Sequence, residues 1–150
     1  MIKRIDILNA INRILTEAYP EYKVYIDLCP DGYERPSFLL QHAATVREDV
    51  NRSTVSEKVE FILFIHEDVD DYSGSSTLTL SEIQQAVLDL FRSGALQVGD
   101  RWLRIHAQAG VRDFNVARLT LRVEYFDLRE PVQIPEEMIR EVALNLTKKE

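Results

Sequence analysis

A single cysteine among 150 residues leaves Cys29 without an intramolecular disulfide partner and unable by itself to supply a zinc site. A reducing compartment fits that composition. Long apolar runs are also missing. Near the start, Lys3, Arg4 and Asp6 interrupt Ile2 and Ile5, so there is neither a signal-peptide core nor the roughly 20 apolar residues of a membrane span. The expectation is a cytoplasmic product with no membrane anchor. Bases are outnumbered, 18 against 25 acids, for a formal charge of −7. That balance disfavours a general role in gripping nucleic acid, which needs a basic stripe to displace counterions from phosphates. An acidic protein can still stand beside DNA without adhering to it. Glycine is sparse too, and residues 73–76 have one glycine and no following lysine, which excludes a phosphate loop.

What remains is ordinary globular material, with 45% hydrophobic and 29% charged residues in a length that suits one domain. Between residues 2 and 18, Ile5, Leu8, Ile11, Ile14, Leu15 and Ala18 recur at three- and four-residue steps, which predicts an amphipathic helix that Pro20 stops. Residues 22–28 alternate, with Tyr22, Val24, Ile26 and Leu28 on one face, as a half-buried strand requires. Pro30, Asp31 and Gly32 form a turn, and residues 37–46 read as a second strand. The polar residues 47–52 are expected to connect it to a third, residues 55–66, whose apolar second half predicts a central place in the sheet. Residues 67–76, rich in charge and turn formers, predict a surface loop. A second helix follows, capped by Ser81 or Thr79, with a stripe of Ile83, Val87, Leu90 and Phe91 ending at Gly94. Short strands at 96–98 and 101–107 flank Gly99 and Asp100, and a long strand spans 116–128. After Pro131 and Pro135, residues 136–146 carry a third helical pattern, with Met138, Ile139, Val142 and Leu146 on its stripe. The expected fold is α+β: an antiparallel or mixed sheet with helices packed on one face, plus a C-terminal helix. Residues 1–130 would form a single domain, and 131–150 a linker and that helix.

Candidate chemistry is thin. Glu67, Asp68, Asp70 and Asp71 beside His66 could hold a divalent cation or relay protons, but they lack the spacing and terminal bidentate glutamate of a calcium loop. A solvated or partner-facing loop explains them better. His42, His66 and His106 lie on three different strands with no second histidine at ligand spacing, so each is read as a packed or exposed sheet residue. No base is paired with Cys29, which is read as a semi-buried thiol. Trp102 between Arg101 and Arg104 could be a stacking platform, yet the overall acidity favours a tryptophan anchored in the core. The expectation is therefore no catalytic residue, no cofactor and no bound metal.

Three strings carry a family likeness: residues 11–20 (INRILTEAYP) running into residues 22–25 (YKVY), then residues 35–40 (RPSFLL), then the exit strand 119–126 (LTLRVEYF). Their order resembles the phage tail terminators, the small tail-completion proteins of phages and prophages of Gram-positive bacteria, over most of residues 1–130. The resemblance implies a structural virion protein, assembled in the host cytoplasm. Such a protein forms a hexameric ring at the head-proximal end of the tail tube, stops tube polymerisation and offers a docking surface to the head-tail connector. DNA would pass through the lumen without specific binding, and an acidic wall would repel its phosphates. Candidate interface or lumen residues are Arg47, Glu48, Asp49 and Arg52 in one segment, and Glu67, Asp68, Asp70, Asp71 and Tyr72 in the other. Two alternatives stand beside this expectation: a partner-binding α+β module of the immunity or regulatory type, and a small metal-dependent enzyme built on His66 and the acids after it.

Overall fold

A computed structural model describes residues 2–70 and 74–129. Helix α1 (Arg4–Ala18) leads into strands β1 (Lys23–Ile26), β2 (Ser37–Asp49) and β3 (Thr54–His66). Helix α2 (Thr77–Leu90) then precedes β4 (Ala95–Val98), β5 (Arg101–Arg112) and β6 (Ala117–Leu128). The strands form one sheet in the order β1-β2-β3-β6-β5-β4. Only β1 and β2 run parallel; every other neighbouring pair is antiparallel, so the sheet is mixed. The architecture is α+β as expected, while the proposed C-terminal helix at 136–146 lies outside the described residues.

Both helices feed one core on one face of the sheet. Ile7, Leu8, Ile11 and Leu15 of α1 and Leu80 and Val87 of α2 join Leu40, Phe61, Leu63, Leu119, Leu121 and Ile105 from the strands. Because α1 touches both β1 and β4, the strands at the two ends of the sheet order, the sheet curls around it. β3 lies between β2 and β6, and its residues 55, 59, 61, 63 and 65 are all buried, as their alternation predicts.

Several expectations are corrected. The buried stripe of α1 is centred on Ile7, Ile11 and Leu15, and Ile5 is 53% exposed. Ile5 lies two positions before Ile7, about 200° around a helix, so once Ile7 faces the sheet Ile5 faces away. Ala18 is also exposed, but for a different reason: it returns to the Ile7 side of the helix and is its last residue, where the packed stripe has ended. β1 stops at Ile26, because Asp27 takes a left-handed backbone (φ 62°) that turns the chain and leaves Leu28 exposed. β2 continues through Arg47, Glu48 and Asp49, which pair with Glu57, Ser56 and Val55. They are strand residues, and only residues 50–53 connect β2 to β3. Polarity did not end the strand because β3 still offered ladder partners there. α2 begins two residues before Thr79, and its N-cap is Ser76, whose Oγ accepts the Thr79 amide at 3.4 Å; neither Ser81 nor Thr79 caps it. β5 runs on to Arg112, well past residue 107, along β6. Trp102 is 67% exposed and not in the core, since Leu103 and Ile105 face inward and strand alternation turns Trp102 outward.

Candidate functional site

The two charged segments singled out by sequence lie at opposite ends of the β2–β3 hairpin. β3 has 13 residues, so at about 3.3 Å per residue the two ends are roughly 40 Å apart. The structure does not bring them together.

At the turn end, Arg47 is ion-paired with Glu57, a carboxylate that is itself buried. Asp49 meets Arg129 at 3.4 Å, and the side-chain oxygen of Asn51 accepts the Ser53 amide at 2.9 Å, closing the connection around Arg52. Glu48 and Arg52 are exposed. Beyond His42, β2 has no strand on its outer side among the described residues, since the short β1 pairs only as far as Leu40. Arg47, Glu48 and Asp49 therefore put charge on an open edge, a common device against uncontrolled edge-to-edge pairing.

At the other end the chain leaves β3 at His66, opposite Ser37 of β2. Glu67, expected on the surface, is buried and corrects that expectation. Its carboxylate accepts the hydroxyl of Tyr22, whose ring stacks on Phe38 (centroids 4.9 Å apart) and meets Tyr19 at 5.2 Å. Burial, then the bond to Glu67, holds the Tyr22 hydroxyl well above its ordinary pKa, so it stays a donor. Arg35 locks the loop from the other side. Its Nη1 donates to the carbonyls of Glu67 (2.8 Å) and Asn115 (3.0 Å), and its Nη2 donates to the Tyr33 hydroxyl at 2.7 Å. A planar guanidinium suits such a fork. Further along, the Asp70 amide donates to the Gly74 carbonyl at 2.8 Å, the Gly74 amide returns a bond to Asp70 Oδ1 at 3.0 Å, and the Ser75 amide reaches the Phe114 carbonyl at 2.7 Å. Asp68 and Asp70 are thus exposed acids on a loop with a pinned base. Asp71 and Tyr72 lie outside the described residues.

The sequence reading passed over Arg35, Tyr22 and Asn115, which hold this end together. Arg35 stands out in sequence only as the residue before Pro36, which favours an extended backbone there, and as the first residue of the RPSFLL string. Chemically the arrangement is a brace. Glu67 turns inward to a tyrosine while Asp68 turns out, and among the described residues no three His, Cys, Asp or Glu side chains converge as metal ligands. Cys29 is partly buried, and that burial pushes its thiol pKa up, away from reactivity.

His66 supplies a pH signature. Its ring is buried beside Tyr33 (centroids 4.8 Å), and burial, aided by the Arg35 charge, lowers its pKa from 6.5 to about 4. Between those two values the unfolded chain takes up a proton that the folded chain refuses. The stability is therefore complete above pH 6.5 and is lost as pH falls toward 4. The loss should be on the order of 1–2 kcal/mol after allowing for solvent screening. Urea midpoints of the native chain and His66→Gln, compared at pH 7 and pH 4.5, should show the native chain losing that much more than the variant; equal losses would refute the assignment.

The model of a family described as phage tail terminator protein matches residues 6–135, nearly the whole of the described chain. No curated protein matches the sequence.

Proposed function

Because this chain belongs to the phage tail terminator family, a structural component of the phage tail, we propose that it caps the head-proximal end of the tail tube, ends tube polymerisation and presents the surface on which the head-tail connector docks. The working form is a ring of copies, six by analogy with the family, joined through a heterologous interface that closes on itself. The open outer edge of β2 is the natural meeting place for a neighbouring copy, because it offers unpaired backbone groups whose charged side chains discourage random partners.

One observation carries the division of labour: the charged ends of the β2–β3 hairpin lie roughly 40 Å apart on one rigid strand pair. A terminator must touch two different assemblies, one above and one below. The segment of Arg47, Glu48, Asp49 and Arg52 serves one of them or the lumen, and the braced loop of Glu67, Asp68, Asp70, Asp71 and Tyr72 serves the other. The formal charge of −7 suits a ring through which DNA passes without being held.

Light scattering and negative-stain microscopy of the protein, alone and mixed with its tail tube protein, should show rings seated on tube ends and shorter tubes as the protein concentration rises. A chain that stays strictly monomeric both alone and with the tube would sink the proposal. Reversing Asp68 and Asp70 to lysine should weaken binding to the tube or to the connector by roughly tenfold and leave the other contact intact. Equal weakening of both, or of neither, would remove the two-ended reading.

A further inference from the structure

The face of the sheet opposite the two helices has no cover among the described residues. Strand alternation puts Trp102 of β5, Phe126 and Leu128 of β6, and Ser56 and Lys58 of β3 on that face. Phe126 lies opposite Ser56, and the ladder that pairs Arg104 with Glu124 sets Trp102 beside Phe126 on the other flank. Phe126 is 62% exposed, Leu128 is 72% exposed, and Trp102 is exposed to a similar degree. Trp102 and Phe126 frame a groove of about 540 Å³ whose border carries Lys58, Arg101 and Arg104 and one acid, Glu124, which lies between Lys58 and Arg104 in the ladder. Lys58 and Arg104 are exposed and make no ion pair within 4 Å among the described residues. A contiguous aromatic patch of this kind marks a surface that something covers.

The chain itself holds a matching occupant. It leaves β6 at Leu128, on the rim of this patch, and continues for more than twenty residues. In that continuation Met138, Ile139, Val142 and Leu146 recur at helical spacing, a stripe that on a helix would need a surface to bury against. Between residues 130 and 141 there are four acids, Glu130, Glu136, Glu137 and Glu141, against one base, Arg140. Its net sign is opposite to that of the groove border, where Lys58, Arg101 and Arg104 outnumber Glu124. The six residues 130–135 can reach roughly 20 Å when extended, and β5 is only about 4.8 Å from β6. A return to Trp102 is within that reach.

We propose that residues 136–146 of this chain fold back over the open face of its own sheet and seat their apolar stripe in the groove framed by Trp102 and Phe126, with the acids of the segment beside Lys58 and Arg104. The covered face is then unavailable to neighbouring copies, and contacts in an assembly are left to the hairpin ends and the β2 edge.

Trp102 is the sole tryptophan, so its emission and its quenching by acrylamide report the cover directly in the full chain. The native protein should emit as a shielded tryptophan, and the Ile139→Asp/Val142→Asp double variant should shift to the red with a severalfold rise in the quenching constant. Arg104→Glu should produce a smaller shift that a second change, Glu137→Arg, reverses; circular dichroism checks that every variant stays folded. Identical emission and quenching in the native chain and the double variant would overturn the proposal. So would shielding that disappears on dilution, which would assign the groove to a second copy, or shielding that arises only when tail tube protein is added.

Discussion

Phe61→Ala is expected to lower the unfolding free energy by about 3–5 kcal/mol, the usual cost of deleting a fully buried phenylalanine. Phe61 has no exposed surface and sits at the midpoint of β3, between His42 of β2 and Leu121 of β6. Its ring meets the His42 ring edge-on, with centroids 5.9 Å apart. The walls of the resulting cavity would be strands tied to neighbours on both sides, so they cannot collapse inward, and the loss should fall toward the upper part of that range. For a domain whose total stability is about 5–15 kcal/mol, this brings the chain near its folding limit. Urea denaturation should show a much lower midpoint at an unchanged slope; a shift worth less than about 1 kcal/mol would mean that the core closes around the missing ring.

Arg35→Ala should cost about 1.5–3 kcal/mol, because charge-assisted hydrogen bonds are worth more than neutral ones and the change removes those made to part-buried acceptors. Two of those acceptors are the carbonyls of Glu67 and Asn115, on segments far apart in the chain that the guanidinium ties together. Its influence extends past stability. With Arg35 gone, the amides of Asp70 and Ser75, bonded to Gly74 and Phe114, should exchange with solvent faster than those of the central strands. The charge that helps hold His66 neutral would also vanish, so the His66 pKa should rise. Arg35→Lys should rescue little, since one ammonium cannot reproduce a planar fork aimed at two carbonyls and a phenol. Full recovery by lysine would show that charge alone does the work. If the proposed function holds, Arg35→Ala should also weaken whichever contact the acidic loop makes, although Arg35 is half-buried and Asp68 and Asp70 keep their charges.

The parts that were legible in sequence share a physical trait. Val55, Val59, Phe61, Leu63 and Ile65 alternate because one face of β3 meets the core, and Leu119, Leu121 and Val123 of β6 do so for the same reason. Burial imposes a period that composition reveals. The surface elements carry no such imprint. Arg47, Glu48 and Asp49 look like a connection because all three are polar, yet they extend β2, because a strand continues as long as its neighbour supplies backbone partners. Glu67 looks like its neighbour Asp68, yet one is buried and the other exposed; what separates them is Tyr22, forty-five residues earlier in the chain. Trp102 looks like a core residue by size alone, whereas its place beside Leu103 decides that it faces out.

By itself the sequence determined the class of fold, the order of its elements through residue 128 and the buried faces of β3 and β6. Those follow from local propensity and hydrophobic periodicity, which each stretch of chain expresses without knowing its partners. It also carried the family likeness, through the order of its strings. Tertiary structure alone decided that the sheet runs β1-β2-β3-β6-β5-β4, that the charged segments stand at opposite ends of one hairpin, and that Arg35, Tyr22 and Glu67 brace one of those ends. It also left Trp102 and Phe126 uncovered on the open face. Each of those facts depends on residues distant in the chain meeting in space, and such meetings leave no period in the sequence to be read.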